Sequence, residues 1–290
     1  MSEITLLDGK EVAIELKKDL QQEIKRLSKQ PKLSIILVGE KPESSLYVRN
    51  KIKLCEEIGV DYRLIRFEEN VEERKIIEQI EKLNIDETVD GIICQLPLPP
   101  QINKDKIIRK ISPSKDVDGF HPDNIGKMAL NMPSLLPATP YGIMELFNHY
   151  NLDLYGKHCV VIGRSNIVGL PISIMMGNDN MCTVTSCHHN TENLEEHTKN
   201  ADIIIIGIGK PNFLKANMIK TDCIVVDVGI NRIKSDNKKG YKIVGDVDFE
   251  NVAPKASYIT PVPGGVGPMT ILALIKNVIK AAKMKYKETV

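Results

Sequence analysis

The chain has 290 residues with 39 basic and 38 acidic side chains, a net charge of +1, so it is long enough for one large or two ordinary cores. Near-neutrality, with only short basic stretches at Lys238-Lys239 and Lys280 to Lys287, argues against a nucleic-acid partner. No apolar stretch approaches the roughly 20 residues of a membrane span, and Met1-Ser2-Glu3 opens no basic-then-apolar leader, so a cytoplasmic protein without a membrane partner is expected.

The predicted elements alternate. Helical patterns at 12–27, 45–58 and 71–83 separate short β-branched or apolar runs at 33–38, 62–67 and 89–95. A second series of strands follows at 159–162, 183–187, 203–208 and 223–228. This order predicts βαβ units, and hence two α/β domains with parallel sheets. The segment 112–140, with five prolines and two glycines, reads as the join between them, and a helix over 140–150 leads into the second domain. At the far end Ile271, Leu274, Ile275, Val278, Ile279 and Ala282 recur at helical spacing, a helix able to return to the first domain. The cysteines Cys55, Cys94, Cys159, Cys182, Cys187 and Cys223 form no C-x-x-C pair and read as reduced core thiols.

Within the first domain, Ser44-Ser45 reads as a helix N-cap signal, and Tyr47 and Lys51, four residues apart, share a helical face. An ammonium beside a phenol can handle protons; equally, the lysine stem can pack on the ring at the surface. Gln95 closes a strand at the carboxyl edge where parallel sheets bind ligands, and Asp118 stands in Lys115-Asp116-Val117-Asp118-Gly119. Taken singly, Gln95 caps a strand and Asp118 makes an Asx turn.

The second domain opens on Cys159-Val160-Val161-Ile162, followed by Gly163-Arg164-Ser165-Asn166-Ile167-Val168-Gly169-Leu170-Pro171. A buried strand that passes through a small-residue loop into a helix is where a dinucleotide pyrophosphate sits, because free N–H groups and the helix dipole favour an anion. The loop departs from G-x-G-x-x-G at Ser165 and places its last glycine one residue late. The next strand ends in His188-His189 with no carboxylate for ribose hydroxyls, and Arg164 offers a guanidinium for a 2′-phosphate, so NADP is expected over NAD. Cys187-His188-His189 has no second Cys/His cluster near in sequence, so no metal is expected. Further on, Thr260-Pro261-Val262-Pro263-Gly264-Gly265-Val266-Gly267-Pro268-Met269-Thr270 predicts a fixed backbone without bulk, able to lie against a flat ligand or to serve as a hinge.

Together, Tyr47-x-x-x-Lys51, Gln95-Leu96-Pro97-Leu98-Pro99, Lys115-Asp116-Val117-Asp118-Gly119, the loop from Gly163 to Gly169 and Pro263-Gly264-Gly265-Val266-Gly267-Pro268-Met269-Thr270 resemble the bifunctional methylenetetrahydrofolate dehydrogenase/methenyltetrahydrofolate cyclohydrolase family, nearly end to end and in order. The resemblance implies a homodimer of two-domain subunits that binds tetrahydrofolate derivatives in the cleft between domains. It implies a folate-binding catalytic domain at 1–139 plus 269–290 and a Rossmann-like NAD(P)-binding domain at 140–268, with the final helix returning to the first. By the same resemblance Lys51 is the catalytic lysine, Tyr47 lines the folate pocket, Gln95 tunes Lys51 and Asp118 holds the pterin. Pro263, Gly264 and Gly265 meet the substrate, and Gly163, Arg164, Ser165, Gly169, His189 and Ile230 meet the NADP cofactor.

The implied chemistry suits these residue types. Hydride transfer from the methylene bridge asks mainly for positioning, whereas hydrolysis of the resulting cation needs a group that gives and takes protons. A lysine, with a reference pKa of about 10.4, does this near neutrality only where its surroundings lower that value. Three positions depart from the family pattern. Ala138 stands where many members have cysteine, Leu170 replaces a frequent lysine, and His189 takes the place of a serine near the 2′-phosphate. Imidazole can replace that serine as a donor and gains charge as pH falls through histidine's reference value near 6.5. Short-chain dehydrogenases also pair Tyr-x-x-x-Lys, but after their glycine loop. Shikimate dehydrogenase shares the two-domain plan, and a non-catalytic NADP sensor would need no Lys51, Gln95 and Asp118 together.

Overall fold

The computed structural model describes residues 4–178, 182–237 and 240–287. In chain order the elements are β1 (Thr5–Leu6), α1 (Gly9–Lys25), β2 (Lys32–Val38), α2 (Pro42–Ile58), β3 (Asp61–Phe67), α3 (Glu73–Ile85), β4 (Gly91–Cys94), α4 (Lys104–Lys110), α5 (Pro122–Ala129) and α6 (Ala138–His149). They continue with β5 (His158–Ile162), α7 (Gly169–Asn178), β6 (Thr183–Cys187), α8 (Leu194–Lys199), β7 (Ile203–Ile206), β8 (Cys223–Asp227), β9 (Asn231–Lys234), β10 (Tyr241–Val244), α9 (Phe249–Val252), β11 (Ala256–Ile259) and α10 (Val266–Tyr286).

The chain divides into two compact units at Ala13/Ile14, Ala138/Thr139 and Thr270/Ile271. One contains a small sheet in the order β3-β2-β4, with both pairings parallel. Its interior gathers Ile36 and Val38 from β2, Ile76, Ile80 and Leu83 from α3, Ile92 from β4 and Ile107 from α4. The segment expected as a join is built into this unit. Asp116 bridges in parallel to Ile92 beside β4, and Pro122 to Ala129 form α5. The returning helix is seen as expected. Leu274, Ile275, Val278 and Ile279 of α10 are at most 1 % exposed, and Lys283 and Lys285 reach Glu23 at 2.7 Å and Asp90 at 3.0 Å.

The other unit holds a larger sheet in the order β1-β11-β8-β7-β5-β6, all parallel, and an antiparallel hairpin of β9 and β10. Ile203-Ile204-Ile205-Ile206 of β7 is buried along its length, as a strand covered on both faces must be. The chain leaves β5 for β6 on one side and continues from β7 on the other, so the strand order reverses beside β5. That reversal opens the crevice in which doubly wound sheets bind ligands. β1 pairs with β11 through Thr5–Tyr258 and Leu6–Ile259, so the first residues join this sheet, whereas the sequence expectation grouped them with the first domain. Among the described residues no helix is long and apolar enough to cross a membrane, and all six cysteines are buried and unpaired.

Candidate active site and dinucleotide edge

In the unit of the small sheet, α2 starts at Pro42, whose missing N–H costs nothing in a first helical turn. The expected serine cap is not made: the residue before the helix is Lys41, and the buried Ser44 hydroxyl has no partner among the described residues. The helix ends at Gly59, whose φ of 95° suits a left-handed cap. Its buried face carries Val48, Lys51, Cys55 and Ile58. Tyr47 lies half-buried one turn before Lys51, and burial raises its phenol above the ordinary value.

Lys51 is only 7 % exposed, and its Nζ donates to Gln95 Oε1 at 3.0 Å. Gln95 is held from both sides. Its backbone N–H donates to Ile36 O, continuing the β2–β4 ladder, and its Nε2 donates to Leu96 O at 2.7 Å. The second bond fixes the amide so that its oxygen faces the ammonium. Burial pushes the Asp118 carboxyl up, and the nearby Lys51 charge pulls it back. Lys51 thus bonds Gln95 and acts electrostatically on Asp118, while the Cys94 thiol is pushed up to about 12, chiefly by burial and then by the Asp118 charge.

The loop carrying Asp118 is clamped by groups the sequence did not single out. Asp116, 2 % exposed, accepts from His121 N at 2.7 Å and Asn124 Nδ2 at 3.1 Å. From α10, the fully buried Asn277 donates through Nδ2 to Val117 O at 2.9 Å and Leu136 O at 2.6 Å. Gly119 has φ 75°, and a Cβ there would meet the Leu136 carbonyl carbon at 2.3 Å, so only glycine fits this approach.

In the other unit, β5 runs into α7 through Gly163. A Cβ on Gly169 would lie 1.9 Å from Gly163 O, and one on Gly163 would lie 2.7 Å from Gly207 O. The turn therefore closes on bare backbone, the form that pyrophosphate-binding loops take. The expectation of wholly free N–H groups at the helix start needs amendment: Ser165 Oγ accepts from Val168 N at 3.2 Å and, more weakly, from Gly169 N at 3.4 Å. Arg164 is exposed, with no carboxylate partner among the described residues. Since Ile162 pairs with Cys187, Arg164 and the exposed His189 stand at equal steps beyond neighbouring strand ends. Bare turn, unpaired cation and absent acid fit a phosphorylated dinucleotide.

Ile230, 53 % exposed, follows the end of β8. Pro263, Gly264 and Gly265 lie in the turn between β11 and α10, where Gly265 N donates to Pro261 O and Gly264 O accepts from Lys10 N. A Cβ on Gly9 would lie 1.9 Å from Gly265 O, so this turn is a tightly packed backbone surface. These residues belong to the larger-sheet unit, whereas Tyr47, Lys51, Gln95 and Asp118 share the smaller.

Fold and site together define a dinucleotide-binding α/β enzyme with a separate lysine-centred site. Residues 7–118 match the catalytic domain, and residues 137–286 the NAD(P)-binding domain, of the tetrahydrofolate dehydrogenase/cyclohydrolase family model. The chain belongs to that family. It is 52% identical to the bifunctional protein FolD of Flavobacterium johnsoniae, covering 97% of this chain and 98% of that one. The solved bifunctional FolD methylenetetrahydrofolate dehydrogenase/cyclohydrolase of Campylobacter jejuni is 47% identical with a TM-score of 0.93, covering 97% of this chain and 99% of that one. The Trypanosoma brucei methylenetetrahydrofolate dehydrogenase-cyclohydrolase, solved with NADP cofactor and an inhibitor, is 34% identical with a TM-score of 0.93, covering 99% of this chain and all of that one (100%).

Proposed function

We infer that this chain oxidises 5,10-methylenetetrahydrofolate to 5,10-methenyltetrahydrofolate with NADP and hydrolyses the product to 10-formyltetrahydrofolate, two steps of one-carbon metabolism. The observation that carries this reading is the hydrogen bond at 3.0 Å from the buried Lys51 Nζ to Gln95 Oε1, with Lys51 also pulling on the Asp118 carboxyl, in a chain of this family.

NADP, when bound, accepts the hydride released from the methylene bridge. This chain's residues then have three tasks. Asp118 holds the pterin by taking paired hydrogen bonds from its N–H edge, and Tyr47 lines the folate pocket. Lys51 serves hydrolysis as its free amine: Nζ takes a proton from the attacking water, becoming the ammonium, and returns that proton to the departing ring nitrogen when the tetrahedral adduct collapses. Gln95, fixed by its bond to Leu96 O, holds Lys51 Nζ in place. Pro263, Gly264 and Gly265 are assigned to substrate binding. Gly163, Arg164, Ser165, Gly169, His189 and Ile230 are assigned to NADP, with Arg164 and His189 at the 2′-phosphate. A homodimer and a cytoplasmic location complete the reading, the latter in keeping with six unpaired cysteines.

The test is a spectrophotometric assay with methylenetetrahydrofolate and either NADP or NAD, paired with hydrolysis of methenyltetrahydrofolate without cofactor. Turnover in both assays, faster with NADP, is expected. No turnover of either folate overturns the reading.

A further inference from the structure

The larger-sheet unit contains a second polar constellation that the chemistry above does not use. Asp227, the last residue of β8, is 3% exposed, and Asp246, two residues past β10, is fully buried. Asp227 Oδ1 accepts from Gly229 N and Asp246 N, each at 2.9 Å, and its Oδ2 accepts from Val247 N at 2.8 Å. Asp246 Oδ2 accepts from Ile208 N at 2.6 Å and Gly209 N at 2.9 Å, and its Oδ1 accepts from Asn231 Nδ2 at 2.8 Å. Every one of these donors is neutral.

The two short motifs Asp227-Val228-Gly229 and Gly245-Asp246-Val247 make room for each other. A Cβ on Gly229 would lie 2.3 Å from Asp246 Cγ, and one on Gly245 would lie 1.8 Å from Asp227 Oδ2. Two buried carboxylates without a cation are costly. Burial, with the Asp246 charge adding to it, pushes Asp227 up to about 6. Such an arrangement persists where something else requires it.

What Asp246 holds lies at the carboxyl ends of β7 and β8. On one side is the Ile208-Gly209 turn, which packs on the glycine loop: a Cβ on Gly163 would lie 2.7 Å from Gly207 O and 3.3 Å from Ile208 Cγ2. On the other side Gly229 and Asn231 flank Ile230. One carboxylate therefore sets the spacing of two turns beside the strand-order reversal, where a doubly wound sheet takes its ligand.

We propose that Asp246, braced by Asp227, is a positioning residue for the NADP site, holding the turns after β7 and β8 at the spacing the dinucleotide needs. This rests on the NADP reading above and adds to it a device distinct from Arg164 and the glycine loop. An amide at position 246 must turn either its oxygen or its Nδ2 toward Ile208 and Gly209, and one of the two turns loses its acceptor.

The experiment titrates NADP calorimetrically into the full chain and into Asp246→Asn and Asn231→Ala, and measures both activities of each. Asp246→Asn is expected to raise the NADP Kd and KM about tenfold, the scale of a charge-assisted bond. The kcat at saturating NADP should stay within about threefold, and hydrolysis of methenyltetrahydrofolate, which takes no cofactor, should be unchanged. Asn231→Ala, which removes one of the three bonds to Asp246, should raise the Kd roughly threefold; it decides the matter alone if the first variant does not fold. Unchanged NADP affinity overturns the proposal, as does a parallel loss of hydrolysis and NADP affinity, which would mark a purely structural role. A wild-type chain that binds NADP but turns over neither folate ends the activity reading, while the shift in Kd still judges Asp246.

Discussion

The lysine site of the smaller-sheet unit and the dinucleotide edge of the larger-sheet unit are built from opposite materials. Around Lys51 the working groups are buried and half-buried side chains that bond or pull on one another, and the backbone merely holds them. Around Gly163 the working surface is backbone, closed by glycines that admit no Cβ, with Arg164, which has no carboxylate partner among the described residues, left in solvent. A proton-handling group needs a few defined neighbours in a low dielectric, where each is worth more than in water. A polyanionic cofactor needs shape and accessible charge. The two regions should therefore fail differently when altered.

The largest effect is expected from Lys51→Gln, which keeps a polar side chain but removes the proton. Hydrolysis of methenyltetrahydrofolate should fall about a thousandfold, within the range for general acid–base catalysis. The dehydrogenase rate, which needs positioning more than proton transfer, should fall much less, and equal losses would erase the distinction drawn here. Next, Asp118→Ala should raise the folate KM or Kd about ten- to a hundredfold through loss of charge-assisted bonds, with NADP affinity nearly intact; calorimetry showing unchanged folate affinity ends that role. Arg164→Ala belongs to the other region. It should lower kcat/KM about tenfold for NADP and little for NAD, the effect being limited by solvent screening of an exposed charge. An unchanged ratio removes Arg164 from the 2′-phosphate.

The smallest effect concerns stability. Burial above all, with the Asp118 charge assisting and hydrogen bonds from His121 and Asn124 opposing, places Asp116 at about 7. The folded chain thus holds this proton more tightly than the unfolded chain, where a carboxyl titrates near 3.9. Its contribution to stability is full below about pH 4 and is lost as pH rises through about 7, with a slope of at most ~1.4 kcal/mol per pH unit. The Tm of the wild type minus that of Asp116→Asn should fall across this window; a difference that rises would reverse the assignment.

The two regions were also unequally legible in the sequence. The β5–loop–α7 turn is local, so its glycines, Arg164 and the missing acid after β6 all show in one stretch of chain. Lys51, Gln95 and Asp118 lie on separate elements, and it was the family resemblance that joined them before the hydrogen bond from Lys51 to Gln95 did. The helix return of α10 was readable because its apolar spacing is long and regular. β1 was not: two residues carry no period, and their partner β11 lies at the other end of the chain. The Ser44-Ser45 cap failed because Pro42 starts the helix earlier. Asp227, at the end of β8, and Asp246, two residues past β10, carry no local signal either. Their meaning is in reciprocal packing that no local pattern carries.

The central claim, that one chain performs hydride transfer and then lysine-dependent hydrolysis, is tested most directly by one time course. Wild type and Lys51→Gln are each given methylenetetrahydrofolate and NADP, and NADPH, methenyltetrahydrofolate and 10-formyltetrahydrofolate are followed together. The account predicts that the wild type passes to the formyl product with little methenyl species, whereas the variant forms NADPH and accumulates methenyltetrahydrofolate. Formation of 10-formyltetrahydrofolate by the variant at the wild-type rate would contradict it.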